Sequence, residues 1–383
     1  MKTQEILPNE SASPILIKLI QTNDLTALPS QITLAHDSME DETALPVKMT
    51  CFVASGDEEQ KIRAIVSSDS KLSELPVTTI IQPPLESHNV VVLLWYMSET
   101  PIKRTHVNNC VAVEMKNGDQ WLFLAQNPND RKETFDASAE HSLKTLLNNL
   151  TDFGFNFHHL LHTWFFIPRI TESDNQKERY QIFNKHRKDL FLAQSDPSIQ
   201  VPFYPASTGI GSQNHSVWAS AVAFKSGNPV SVHMMNNDRQ VPAYRYPKQE
   251  SVEPPMFSRG MCLCFKKSAL IFVSGTASIL NARTVHENDV AAQTRETLKN
   301  IHNLLTENAT QHQLAMPDDV PESIIYATVY IKQRKDYPTV KDICRNYFSK
   351  TPVIYVEADI CRSNLLVEIE CIAGMTIGLD NQP

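Results

Sequence analysis

Residues Thr351 to Gly374 read TPVIYVEADICRSNLLVEIECIAG. An apolar run spans Val353 to Ile360, a polar break follows at Cys361, Arg362, Ser363 and Asn364, and a second run from Leu365 to Ala373 interleaves apolar residues with Glu368 and Glu370. This pattern predicts two strands. Successive side chains of a strand point to opposite faces, so Leu366, Glu368, Glu370 and Ile372 share one face and Val367, Ile369, Cys371 and Ala373 the other. Two carboxyls on a short apolar strand have a simple reading, the wet face of an antiparallel sheet. The sharper reading places one of them in a pocket, with a raised pKa, as a proton donor.

The elements upstream of this stretch come in a repeated order. Gly260–Phe265 and Ala269–Val273 read as a hairpin, 289–305 as a helix with Thr294, Leu298, Ile301 and Leu305 on one face, 323–331 as a strand and 339–348 as a helix. Earlier in the chain, Val111–Met115 and Trp121–Ala125 form a hairpin around Asn117-Gly118, followed by a helix over 138–150, a strand over 159–167, a charged helix over 175–190 and a strand over 217–224. Each half thus reads hairpin, helix, strand, helix, strand, the pattern of an α+β unit with helices on one face of a mixed sheet. Further strands are expected at Met49–Val53, Thr78–Gln82 and Val90–Met97, whereas the polar residues 1–45 suggest an irregular N-terminal cap. The expected division is therefore a cap over 1–45, one unit over 46–225 and a second over 226–383. Val217–Phe224 corresponds to Val367–Ala373, and the first of these has small residues where the second has its two glutamates.

Composition narrows the function classes. A chain of 383 residues with 42% hydrophobic content can bury a sizeable core, and a net charge of −8 favours neither a nucleic-acid backbone nor an anionic membrane. An anionic substrate would need locally placed arginines. The seven cysteines follow no framework spacing, which fits free thiols in a reducing, cytoplasmic setting. Cys262 and Cys264 form a C-x-C with no second cluster nearby, so they read as neighbours on a strand rather than as a metal site. The N-terminus lacks the pattern of a signal peptide, and the longest apolar run, Val90–Met97, is too short to span a bilayer.

The segment FVSGTASI, the helix AQTRETLKNIHNLL and the closing LLVEIECIA strand resemble the RidA/YjgF family in order and texture. Imine deaminases of that family carry an arginine at the position of Val353, so this chain departs from them there. The longer series TWFFIPRI, ERYQIFNKHR, YPASTGIG, AYRYP, MFSRG, FVSGTASI and ADICRSNLLVEIE, spanning about Val111 to Gly374, resembles the chorismatases, which join two RidA-like halves in one chain. TWFFI and the QESVEP insertion are departures from that pattern. The resemblance implies an α+β fold of two RidA/YjgF-like units, the second catalytic.

It also implies chorismate as the small-molecule substrate, no metal or organic cofactor, and a monomer or homotrimer. Protonating the enolpyruvyl methylene makes an oxocarbenium ion whose collapse releases pyruvate. Glu368, desolvated on an apolar strand, is the expected acid, with Glu370 a supporting group. Arg259 and Arg245 are the favoured partners for the substrate carboxylates, Arg187 is the next choice, and Tyr204 and Tyr244 are candidate contacts. Chorismatases that yield hydroxybenzoate have Cys at the position of Cys361 and Gly at that of Gly275. The expected product is therefore 3-hydroxybenzoate, alone or with some 4-hydroxybenzoate. The pair Gly275→Ala with Cys361→Val should then divert product to the dihydrodiol while pyruvate release is retained. Two other readings stay open: a RidA-like protein that binds a metabolite without turnover, and an imine deaminase.

Overall fold

The computed structural model describes residues 2–6, 14–39, 44–98, 101–126, 133–174, 176–194, 202–227, 230–315 and 320–377. In the first sheet, β1 (Lys2–Ile6) and β2 (Ile15–Thr22) pair as a hairpin, followed by α1 (Leu28–Asp37), β3 (Leu45–Val53), α2 (Gly56–Ser68), β4 (Val77–Ile81) and β5 (Val90–Met97). The strand order is β1-β2-β5-β3-β4, with β4 parallel to β3 and β5 antiparallel to both neighbours.

The second sheet repeats this path. The strands β6 (Lys103–Val107), β7 (Cys110–Glu114) and β8 (Gln120–Ala125) lead into α3 (Phe135–Asp152), β9 (Leu160–Pro168), α4 (Arg179–Leu192), β10 (Ala206–Ser212) and β11 (Trp218–Lys225). Here β10 is parallel to β9, and β11 lies antiparallel between β9 and β8. The third sheet comprises β12 (Ser231–Met235), β13 (Gly260–Cys264), β14 (Ser268–Ala277), α5 (Val290–Gln311), β15 (Ile324–Ile331), α6 (Tyr337–Tyr347), β16 (Val353–Glu357) and β17 (Val367–Ile377). Again β16 is parallel to β15, and β17 lies antiparallel between β14 and β15.

The chain thus contains one topological unit three times. One face of each sheet carries its helices, through separate apolar clusters for α1 and α2, α3 and α4, and α5 and α6. The opposite faces meet in one continuous core that takes residues from all three sheets. Trp95 of β5 sits at the junction, edge-on to Trp164 of β9 at 6.0 Å and to Tyr326 of β15 at 6.3 Å. A cavity of about 10 Å³ at this centre is lined by the strand between the two helices and the last strand of every unit, including Lys48, Leu93, Trp164, Ser220, Thr328 and Glu370.

Two expectations fail here. Residues 1–45 are not an irregular cap: the described part holds two strands and a helix. Nor is 46–225 one unit, because β3, β4 and β5 complete the first sheet and the second begins at β6. The cause lies in the sequence pattern of the first unit. Strand β2 is buried on both faces yet carries Lys18 and Gln21, and α2 buries Glu59 beside Ile62, so neither shows a clean alternation or a clean apolar stripe.

Candidate active site

Glu368 lies near the start of β17, opposite Ala277 of β14 and Tyr330 of β15. As β17 is a central strand, helices cover one face and the other two sheets cover the second. Glu368 and Glu370 therefore face a dry seam and are each only 4% exposed. The wet-face reading of this strand is overturned. Opposite Glu368 the β14 ladder shifts register between Val273 and Thr276, and Gly275 sits in that irregularity. A Cβ at Gly275 would overlap Oε1 of Glu368 and approach Cγ2 of Thr208 to 3.2 Å, so glycine is what lets the carboxyl lie here.

The seam joins the second and third units. Gly275 N–H donates to Thr208 Oγ1 at 3.1 Å, Ser207 N–H donates to Ser274 Oγ at 2.9 Å, and Gly211 N–H donates to the Asp359 carbonyl at 2.9 Å. Strand β10 can approach this closely because it is glycine-rich: a Cβ at Gly211 would sit 2.7 Å from the Asp359 carbonyl oxygen.

Beside Glu368 opens a pocket of about 650 Å³, mouth included, within the range of small-molecule sites. Its walls include Tyr180, Asn184, Tyr246, Arg259, Cys361 and Arg362. The Arg259 guanidinium donates to the Val241 carbonyl at 3.2 Å and to the Tyr246 hydroxyl. Arg187, on α4, donates to Asn184 Oδ1 at 2.6 Å and has the Tyr180 phenol beside it. Arg362 donates to the Ala282 carbonyl at 3.0 Å and lies over the Tyr246 ring. Arg187 and Arg259 are 1% and 3% exposed, and their Nε groups have no acceptor. Among the described residues no carboxylate lies within ion-pair distance of Arg187, Arg259 or Arg362. Buried guanidinium groups without acidic partners suit an anionic ligand.

Burial, reinforced by the negative charge of Glu370 and opposed by Arg259, pushes Glu368 up to about 8. It is a protonated acid at neutral pH. Desolvation, with Glu368 nearby, pushes the half-buried Cys361 thiol up to about 12, so it remains a thiol and no thiolate nucleophile. The Cys262 and Cys264 sulfurs touch at 3.4 Å, and among the described residues no group of three or more His, Cys, Asp or Glu side chains could hold a metal.

Of the residues proposed from sequence, Glu368, Cys361, Arg259 and Gly275 meet in this pocket, and Arg187 packs directly behind its wall. Arg245 does not join them: it is exposed and lies over the Tyr244 ring at 5.6 Å. Tyr204 and Tyr244 pack against each other with tilted rings, centroids 4.9 Å apart, at the core of the second unit and away from the pocket walls. The AYRYP segment contributes Tyr246 instead. Sequence reasoning also missed Tyr180 and Asn184, although with Arg187 they form one helical stripe of polar residues on a face that is otherwise buried. Arg362 was quoted only as part of a turn, where a single arginine carries no distinguishing pattern.

Comparisons with known proteins agree with this construction. A family model described as chorismatase FkbO/Hyg5-like, N-terminal, matches residues 94–223, and one described as endoribonuclease L-PSP matches residues 256–375. A 3-hydroxybenzoate synthase of Streptomyces hygroscopicus is 34% identical over 59% of this chain and 66% of its own. A chorismatase of Streptomyces rapamycinicus is 34% identical over 56% of this chain and 64% of its own. The chain thus spans just under two thirds of the length of these relatives. A crystal structure of a chorismatase superposes with a TM-score of 0.72 at 22% identity, covering 95% of this chain and 99% of that one, and so shares its fold. In its α+β units, in the order of motifs from the second unit to the end of β17 and in these matches, the chain is similar to the chorismatases, with units like those of RidA/YjgF proteins.

Proposed function

We propose that the protein cleaves chorismate to 3-hydroxybenzoate and pyruvate. One observation carries this reading: a carboxyl whose pKa is raised to about 8 shares a pocket with the buried Arg259 guanidinium, which among the described residues has no acidic partner. Chorismate is a dianion whose enol ether is activated by a proton on carbon, so it needs both features. Arg259 binds one carboxylate, and Arg187 and Arg362 supply the remaining positive charge around the pocket. Glu368 delivers its proton to the methylene, which becomes a methyl group and leaves an oxocarbenium ion. The ring hydroxyl oxygen then bonds to the neighbouring ring carbon as the ether C–O bond breaks, its electron pair going to the pyruvate carbonyl. The hydroxyl proton returns to Glu368. The resulting epoxide opens and the ring exchanges one proton to become 3-hydroxybenzoate, so no water is consumed.

Capture by water would instead give the dihydrodiol, and the site disfavours it. Cys361, as a neutral thiol against the acid, narrows the pocket and is a poor hydrogen-bond partner for water. The three units already fill one chain, so we further propose a monomer in a reducing, cytoplasmic setting. No described helix is long and apolar enough to cross a membrane.

The test is incubation of purified protein with chorismate, with pyruvate measured enzymatically and the aromatic products separated by chromatography. Pyruvate and hydroxybenzoate in equal amounts, unaffected by a chelator, are expected. No pyruvate, or pyruvate that depends on an added divalent ion, would overturn the reading, and a predominance of dihydrodiol would overturn the product assignment alone.

A further inference from the structure

Glu370, two residues beyond the acid on the same face of β17, is the most heavily coordinated carboxyl at the meeting point of the three units. Its Oε2 accepts from Trp164 Nε1 of β9 at 2.9 Å and from the Thr208 hydroxyl of β10, and its Oε1 accepts from the Tyr330 hydroxyl of β15 at 2.8 Å. An indole N–H can only donate, so Oε2 is an acceptor toward Trp164; the Thr208 hydroxyl beside it also accepts the Gly275 N–H and lies 3.3 Å from His162 Nε2. Three polar hydrogens within reach of its two oxygens suit a carboxylate. Glu368 is the opposite case: among the described residues no donor reaches it.

Lys48 of β3, from the first unit, lines the same central cavity as Glu370 and is 3% exposed. Its Nζ donates to Thr50 Oγ1 at 2.8 Å and lies 4.9 Å from the Trp164 ring centroid and 5.5 Å from that of Trp95. We propose that Lys48 and Glu370 are a buried positioning pair for the acid: Lys48, with the three donors, holds Glu370 as a carboxylate, and that fixed negative charge keeps Glu368 protonated. The proposal rests on the reading of Glu368 as the proton donor. It also gives the TWFFI departure a purpose, since Trp164 is one of the three donors.

The other titratable groups around the pair leave the field to these two. His162, 4.0 Å from Glu370, is pushed down to about 3 by burial and by Lys48 and is neutral. Burial pushes Tyr326, Tyr330 and Cys371 up, and pushes Cys51, beside Lys48, up to about 12, so all stay neutral. Burial drives Lys48 down to about 7 and Glu370 up, and the attraction between the two, with the hydrogen bonds on Glu370, offsets part of each shift. Arg259 acts on Glu368 from the pocket side, in the opposite sense to Glu370. Carboxyls two residues apart on a strand are about 7 Å apart. Charge at that distance in a protein interior moves a neighbouring carboxyl by about 1 to 2 pH units.

The test titrates Glu368 without substrate, by infrared difference spectroscopy of its protonated carboxyl band, identified by its loss in Glu368→Gln. In Glu370→Gln the midpoint should fall by about 1 to 2 pH units, and the basic limb of kcat/KM for pyruvate release should fall with it, so that activity lost at neutral pH returns on acidification. Removing one charge of a buried pair is destabilising whereas removing both is often tolerated. The double variant Lys48→Met with Glu370→Gln therefore secures the result if either single variant fails to fold, and it should show the same lowered midpoint. An unchanged midpoint in Glu370→Gln or in the double variant, or a loss of activity equal at every pH, would overturn the proposal. A lowered midpoint in a protein that never turns over chorismate would support the pair and reject the acid assignment, so the two failures are distinguishable.

Discussion

Glu368 is a residue whose chemistry opposes the stability of its own fold. The folded state holds its proton up to about pH 8, whereas the ordinary value for a glutamate carboxyl is 4.5. Between these values the folded protein binds more protons than the unfolded chain, so stability falls as pH rises across the window, by at most about 1.4 kcal/mol per pH unit from this group. Glu368→Gln should remove that slope and make the protein more stable at pH 8, while turnover falls by about 10²- to 10⁴-fold. Urea unfolding of both proteins from pH 5 to pH 8 checks this, and parallel stability curves would mean that Glu368 is ionised in the folded state. Arg259→Lys should raise KM more than it lowers kcat, because a point charge replaces a planar fork that fits a carboxylate. An unaltered KM would place Arg259 outside the substrate contacts.

At the scale of elements, the site depends on two strands that approach each other through glycines. In β14, Gly275 gives room to the acid itself, which changes what Gly275→Ala is expected to do. The added methyl overlaps the Glu368 carboxyl, so pyruvate release should drop sharply, and the sequence-based expectation of a product switch with turnover retained does not survive. Cys361→Val alone leaves the acid in place and is the variant in which a shift toward dihydrodiol should appear on chromatography. An identical product ratio would remove Cys361 from the control of water. In β10, Gly211→Ala sets a methyl group against the backbone of residue 359, where no rotamer change can relieve it. Crowding of this kind costs about 1 to 3 kcal/mol, and a matching fall in the urea midpoint should accompany it.

For the whole molecule, the continuous core means that no unit is dispensable. Among the described residues none from the first unit lines the pocket, yet Trp95 and Lys48 pack against Trp164, which holds Glu370. Removal of residues 1–98 would expose the inner apolar faces of the other two sheets, and large exposed apolar patches drive association. The truncated chain should be aggregated or lack pyruvate release, whereas the full chain should elute with the mass of one chain in light scattering. A soluble, fully active truncation would show that the second and third units suffice.

The sequence by itself determined the α+β class and the hairpin, helix, strand, helix, strand order of the second and third units, and it singled out Glu368 as the candidate acid. These were legible because β17, α3 and α5 carry strong local periodicity and because Glu368 and Glu370 break an apolar strand at a fixed spacing. The first unit was not legible: Lys18, Lys48 and Glu59 are buried where a local pattern expects apolar side chains, and only their tertiary surroundings make those positions tolerable. Tertiary structure also chose Tyr246 over Arg245 and Tyr244 within one motif, and brought Tyr180, Asn184 and Arg187 of α4 to the seam with the third unit. Above all it shows what surrounds Glu370, which the sequence offered only as a supporting group. Trp164, Thr208, Tyr330 and Lys48 converge on Glu370 from four different strands. Local spacing governs which face a side chain takes, but its proton affinity is set by burial and by charges that only the folded chain brings within a few ångströms.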